Sequence, residues 1–361
     1  NYTDNYFKLQ GINHHFGTTQ KAKKKLLDFY EHAKKQEIQK PNGYYALFLF
    51  DGDNMGKWLS GANLEDAYNK GEALFDFHQH LALLLAEFAN GKDGQLKDEG
   101  IYQYLQPPKG RTIYAGGDDF LGFINLERVF DVLKWTREQF EERINQQIDH
   151  KREDFTFSGG LVIAHYKTPL HVVLDWARAT EKESKKHIHP HGQRKDTLGI
   201  SVLKASGEIT QAFVPWQLRN YEKNEAETAS KIYWSTEAMK KVVESLRKDF
   251  SDKWLRNLDA EFHLMKDRKD GALELQAGAP GEEMIRAEMR RLLKRACQLN
   301  GDKRDSALND LLPHLHGLLG DKPTENFGNF SRLLHICDFI ERHTNGIKEE
   351  NTLPRKDTTH A

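Results

Sequence analysis

Cysteine is nearly absent from the 361 residues, with only Cys297 and Cys337, far apart and each in a helical pattern. That spacing excludes a disulfide framework and a cysteine-built zinc site, and predicts ordinary reduced core thiols in a cytoplasmic protein. No run of ~18 or more apolar residues occurs, nor any signal-peptide pattern, so a membrane partner and export are excluded and a soluble chain is expected. Excess charge of one sign is missing too: 53 lysines and arginines face 54 acids, a net charge of −1. A free-standing nucleic-acid binder is usually more basic, so any such partner would be held by a local patch or by neighbouring subunits. An initiating methionine is also absent, since the chain opens at Asn1, and a piece of a larger protein is the expectation.

What is present suffices for a sizeable core, with 38% hydrophobic and 11% aromatic residues, and the length suits two domains or three small ones. Residues 1–40 form a polar lead-in with a lysine-rich helical stretch at Lys21–Lys35, a solvated helix face. Tyr44–Phe50 is then a near-continuous apolar run, the mark of a strand covered on both faces, and it stops at Asp51-Gly52-Asp53-Asn54. Leu74, Phe77, His78, Leu81, Leu84, Leu85 and Phe88 step at helical spacing. A polar loop is expected over 89–110.

Thr112–Ala115 and Phe120–Ile124 flank Gly116-Gly117-Asp118-Asp119 and predict a β-hairpin. A helix over 127–149, a strand at Phe155–Ala164, a helix from Pro169 to Lys186 and strands at Leu198–Leu203 and Ile209–Val214 complete an α/β layered domain with a mixed sheet, placed at 41–216. Residues 217–361 read as a separate all-helical domain without strands, with loops at 267–282 and 319–328 and a disordered tail from Glu350.

The acidic residues carry the chemistry. Asp51 ends a buried strand, while Asp118 and Asp119 occupy a hairpin tip; pairing the hairpin beside that strand brings three carboxylates to one edge of the sheet. Gathering them without cations costs several kcal/mol, and hard Mg²⁺ or Mn²⁺ ions remove that cost. Two such ions about 3.5–4 Å apart stabilise the entering and leaving oxygens of an in-line displacement at phosphorus. Gly116 and Gly117 let the turn take positive φ and let backbone approach a nucleotide, and Gly52 and Gly56 open amides toward phosphate at a helix start.

Other positions stay open between two readings. Lys57 either touches a triphosphate or is solvated. Lys185, at the helix end with Lys182 and Lys186, either binds phosphate or complements the helix terminus. Ser158-Gly159-Gly160 either contacts a nucleobase or marks close backbone packing. His187, His189 and His191 read as a surface loop around Pro190 and Gly192, and His14-His15 lacks the aspartate of a hydrolytic metal site.

Phe50-Asp51-Gly52-Asp53-Asn54-Met55-Gly56-Lys57, Tyr114-Ala115-Gly116-Gly117-Asp118-Asp119-Phe120 and Ser158-Gly159-Gly160-Leu161-Val162 together resemble the second palm domain of the large subunit of type III CRISPR effector complexes, the Cas-ten family (Cmr-two in subtype III-B). The resemblance implies an α+β palm of ferredoxin-like, nucleotide-cyclase type, followed by the family's C-terminal helical domain. It further implies a palm switched on by target RNA that joins ATP 3′ to 5′ into cyclic oligoadenylate, in a ribonucleoprotein with crRNA and other subunits.

Carried over by position, Asp51 and Asp118 would ligate two Mg²⁺ or Mn²⁺ ions with the Gly52 backbone. Asp119 would ligate metal or help activate the attacking hydroxyl. Asp53, Asn54, Met55, Gly56 and Lys57 would hold the triphosphate, with Gly116, Gly117, Ser158, Gly159 and Lys185 also at the nucleotide. Some relatives conjugate ATP to S-adenosylmethionine instead, and a scaffold that binds nucleotide without turnover is a further alternative. The family's nuclease domain, other palm and zinc-binding insertion are not visible here. Diguanylate cyclases share the palm but carry Gly-Gly-Asp-Glu-Phe or a close variant; Asp119 in place of that glutamate argues against GTP.

Overall fold

The computed structural model describes residues 24, 27–28, 43–92, 99–189, 192, 194–218, 233–251, 253–262 and 281–344. The chain divides into two compact units, Asn1–Asn42 and Gly43–Ala361. In the first, Lys24, Leu27 and Asp28 are helical and exposed; the remainder of the expected Lys21–Lys35 helix, His14-His15 and the tail from Glu350 lie outside the described residues.

In the second unit, apolar runs bounded by glycine and aspartate become strands. β1 (Tyr44–Gly52), β2 (Gly110–Gly116), β3 (Asp119–Ile124), β4 (Phe157–His165), β5 (Thr197–Leu203) and β6 (Ile209–Pro215) form one sheet in the order β2-β3-β1-β4-β5-β6. Only β4 and β5 run parallel; the remaining neighbours are antiparallel. The first described helices are α1 (Met55–Leu59), α2 (Gly71–Asn90), α3 (Ile101–Tyr104), α4 (Val129–Arg143) and α5 (Leu170–Lys186). The polar loop expected over 89–110 is therefore interrupted by α3, where Ile101 and the adjoining Leu105 are fully buried. The helix expected over 127–149 ends at Arg143, and a 3₁₀ turn follows at Asn145–Gln147.

The alternation of side chains along β1 sorts the two faces of the sheet. Ala46, Phe48 and Phe50 enter the main core with α2 and α4, through Leu81, Leu84, Phe88, Leu133 and Phe140. Leu47 and Leu49 join a second cluster under α5, with Val162, Ala164, Val173 and Ala177. Asp51 continues that odd-numbered row, so it ends β1 on the side covered by α5.

Two-residue strands β7 (Gln217–Leu218) and β8 (Tyr233–Trp234) pair after the sheet; the segment was expected to lack strands, and two residues are too few to show a periodicity. The helices α6 (Ser235–Lys248), α7 (Lys253–Phe262), α8 (Gly281–Ala296), α9 (Gly301–Leu319) and α10 (Pro323–His343) follow. The loop expected at 319–328 shortens to Gly320–Lys322, because Pro323 opens α10 at a position where a missing N–H costs nothing. Residues 267–280 of the other expected loop lie outside the described residues, and Gly281 already begins α8.

These helices share one buried cluster with the sheet; α6 packs on α4, α9 and α10, and α10 lies against β6. The Asn329 amide accepts from the Phe213 N–H at 2.8 Å and donates to its carbonyl at 2.7 Å, supplying the ladder partner that edge strand β6 lacks. No described helix is long and apolar enough to cross a membrane.

Candidate functional site

The hairpin does pair beside β1: Phe50 is opposite Phe120 in the β1–β3 ladder, and Gly116 is opposite Asp119 across the turn. Gly117 has φ of 60°, the left-handed conformation this tight turn requires. Carboxylate oxygens of Asp51, Asp118 and Asp119 consequently lie within 4.8 Å of one another. Gly52 permits the convergence, since a Cβ there would stand 2.8 Å from Cβ of Asp118. Two tyrosines brace the tip. Tyr102 of α3 accepts from the Ala115 N–H at 2.9 Å, and the Tyr114 hydroxyl donates to the Gly116 carbonyl at 3.2 Å.

Burial raises the Asp118 carboxyl above its ordinary range and the charge of Asp119 adds to this, while its own N–H and that of Gly52 work the other way. Asp119 is raised by burial. Beside them α5 contributes Lys185, whose ammonium pairs with Asp51 and lies 3.1 Å from Glu181. Burial and the charge of Lys195 draw Lys185 down to about 8, so it remains largely charged at neutral pH. Burial, with the charges of Asp53 and Asp119, pushes Glu181 up to about 7. The donor set is all oxygen and holds more acids than the one lysine beside it offsets, which suits hard divalent cations.

Several expected nucleotide contacts are placed differently. Asp53 is 1% exposed; its carboxylate accepts from Ser158 at 2.9 Å, Thr156 at 2.9 Å and the Asp196 N–H at 2.9 Å, and its own N–H donates to the Thr156 carbonyl. The Asp53 carboxylate and N–H are thus engaged with the start of β4 and the turn before β5, in place of the exposed position expected of a triphosphate contact. Ser158 is fully buried and spends its hydroxyl on that carboxylate. At Gly159 a Cβ would lie 2.7 Å from the Phe48 ring, and at Gly160 it would lie 2.5 Å from the Ala177 carbonyl. The pair of glycines serves close packing of β4 against the core and α5.

Of the remaining positions, Asn54 has φ of 60° and accepts from Lys195 at 2.6 Å. Met55 packs partly against the core. Gly56 opens onto free space and Lys57 is exposed. His187 and His189 are not on an exposed surface loop: His187 stacks on Phe213 at 4.7 Å, and His189 is buried with a 2.9 Å bond to Thr197. Ile188 forms an isolated antiparallel bridge with Arg194. His191 lies outside the described residues.

Sequence reasoning missed Glu181, Lys195, Asp196 and Arg137. Arg137 is 1% exposed and donates to Asp196 at 3.0 Å and Glu141 at 3.0 Å. An arginine on the apolar stripe of α4, four residues after Leu133, is the signal that marks it. For Glu181 the signal is its place four residues after Ala177 and four before Lys185. Lys195 and Asp196 carried none, being adjacent polar residues in a turn.

Residues 44–198 match the family model of the Cas10/Cmr2 second palm domain. The CRISPR system Cmr subunit Cmr2 of Pyrococcus furiosus is 30% identical over 237 residues, covering 61% of this chain. The chain spans about a quarter of that relative, 24% of its length. Among solved structures, the apo type III-B Cmr-beta complex contains a chain with a TM-score of 0.48 and 15% identity, over 86% of this chain and 40% of that one. A Csm1-Csm4 cassette in complex with cA4 gives 0.42 and 15%, over 84% and 37%. The GGDEF domain of DgcB from Caulobacter crescentus, with c-di-GMP, gives 0.28 and 15%, over 48% and 81%. Residues 44–198 are thus a second palm domain of the Cas10/Cmr2 type, and the chain is similar there to a Cmr2 subunit.

Proposed function

We propose that this chain is an ATP-using nucleotidyl transferase that makes cyclic oligoadenylate inside an RNA-guided type III CRISPR complex. The observation that carries the reading is the meeting of Asp51, Asp118 and Asp119, with oxygens within 4.8 Å. Three carboxylates so close, two of them raised by burial, are unfavourable in the bare protein and well matched to Mg²⁺ or Mn²⁺. A bound pair of such ions supplies charge neutralisation at the attacked phosphate and at both flanking oxygens.

The chain's own contribution is placement. Asp51 is held at the end of β1, and Asp118 and Asp119 at a braced hairpin tip, so little reorganisation is left for the reaction itself. Lys185 adds positive charge at the same edge of the sheet, and Asn54, Gly56 and Lys57 border the adjoining turn. In each step the ribose 3′-oxygen of one ATP bonds to the α-phosphorus of another and the α–β anhydride breaks. Pyrophosphate leaves and the hydroxyl proton passes to solvent, with Asp119 helping to activate that hydroxyl. The partners of this reading are other subunits of the ribonucleoprotein, crRNA and target RNA, as befits a relative of a Cmr subunit.

The test is product analysis by mass spectrometry from the assembled complex with ATP and Mn²⁺ or Mg²⁺, with and without target RNA. Cyclic oligoadenylate that depends on target RNA is expected, and Asp118→Ala with Asp119→Ala is expected to abolish it while assembly survives. Undiminished product from that double variant overturns the assignment. Absence of pyrophosphate indicates a silent scaffold, and RNA-independent GTP consumption indicates a diguanylate cyclase. A conjugate formed only with S-adenosylmethionine indicates the variant chemistry.

A further inference from the structure

The Lys185 ammonium has two carboxylate neighbours of different kinds. Asp51 belongs to the proposed metal triad. Glu181, one helical turn earlier on α5, does not, and its Oε1 lies 3.1 Å from the same ammonium. That oxygen is buried and accepts no hydrogen bond of good geometry among the described residues, so the nearby ammonium is what compensates its burial. A carboxylate is otherwise poorly suited to this place, because burial and then the charges of Asp53 and Asp119 oppose it. The positions preceding it in the same row of α5, Val173 and Ala177, are apolar and fully buried. Packing alone would call for another small apolar residue there.

An ammonium resting on Asp51 occupies the charge that a divalent cation must take over. We propose that Lys185 is an internal counter-ion which exchanges with divalent metal at Asp51. In this scheme Glu181 is the positioning residue that keeps the displaced ammonium on α5. The inference rests on the metal-binding reading of the triad given above. The exchange makes and breaks only ionic contacts, and the lysine stays protonated throughout. The i, i+4 spacing of Glu181 and Lys185 lets the pair persist when Asp51 turns to metal. Without Glu181 the ammonium has Asp51 alone as its carboxylate partner among the described residues and competes harder with the ion. Without Lys185 the triad is open to metal before any nucleotide arrives.

Mn²⁺ binding to the purified chain, without nucleotide, tests this by electron paramagnetic resonance of the free ion. Glu181→Gln is expected to weaken binding roughly 10-fold and Lys185→Met to tighten it roughly 10-fold, the usual size of a coupling between neighbouring sites. In the Lys185→Met background, Glu181→Gln is expected to have less than about a third of its effect. Lys185→Arg, which keeps the cation, is expected to stay close to the parent, and circular dichroism melts report folding of each variant. An equal effect of Glu181→Gln in both backgrounds would overturn the exchange, leaving Glu181 a mere source of potential. So would unchanged affinity in Lys185→Met. Saturable Mn²⁺ binding that disappears in Asp118→Ala with Asp119→Ala supports the metal reading whatever the cycle shows, and no saturable binding in any variant overturns both.

Discussion

The α-carbon of Gly52 faces the side chain of Asp118 so closely that a β-carbon on Gly52 would stand 2.8 Å from Cβ of Asp118 and 3.0 Å from Oδ2. Gly52→Ala is therefore expected to push the hairpin tip away from β1 and separate the triad. A displacement near 1 Å in a positioned site costs on the order of 10²-fold in rate. Product formation is expected to fall by about that factor, with a stability loss of ~1–3 kcal/mol from the local clash. Wild-type turnover in this variant would show that the hairpin yields without functional consequence.

Tyr102 holds the other side of the same hairpin by accepting the Ala115 N–H at 2.9 Å. Tyr102→Phe keeps the ring and removes the acceptor, which leaves a half-buried N–H unpaired at a cost of ~1 kcal/mol. A small fall in melting temperature with a clear drop in turnover is expected. A change in stability with turnover intact would make Tyr102 structural only.

The metal-free chain carries charge it would rather neutralise. Glu181 is pushed up to about 7 from its ordinary 4.5, so between those values the folded state binds more protons than the unfolded state. Its contribution to stability therefore falls as pH rises through that window. Asp53, Asp118, Asp119 and Asp196, each raised above 3.8, act in the same direction from lower pH upward. Burial holds His187, His314 and His316 low, which makes stability rise with pH below about 6.5. The Glu181 contribution is therefore read as the difference in melting temperature between the parent and Glu181→Gln without divalent ions, and that difference is expected to fall from pH 5 to pH 8. Added Mn²⁺ is expected to stabilise more at pH 8 than at pH 5, because its ligands must be deprotonated. A parent-to-Glu181→Gln difference that does not vary with pH, or Mn²⁺ stabilisation equal at both pH values, would contradict this.

Arg137 is the buried cation beneath the Lys195–Asp196 turn, bonded to Asp196 and Glu141. Arg137→Met would strand both carboxylates, and breaking a buried pair in this way costs ~3–5 kcal/mol. Urea denaturation is expected to show a loss of that size. Arg137→Lys is expected to recover it only in part, since one ammonium cannot reproduce the forked contacts. A loss below ~1 kcal/mol would mean the network is solvated in solution.

The strands, the hairpin and the placement of Asp51, Asp118 and Asp119 were legible in the sequence. Apolar runs that stop abruptly at glycine and aspartate are local signals, and a chain must bury such runs and expose their ends. The α5 helix and its terminal lysines were legible for the same reason. What Asp53 and Ser158 do was not. Both sit inside a motif that reads as nucleotide-binding, and only the pairing of β1 with β4 places Ser158 opposite Asp51, where its hydroxyl reaches the neighbouring Asp53. Glu181, Lys195 and Arg137 were likewise decided by tertiary structure. Their partners lie on other elements or a helical turn away, and local patterning carries no information about which polar groups meet across a sheet. Charge pairing at this site is long-range in sequence and short-range in space, so the fold had to form before it became visible.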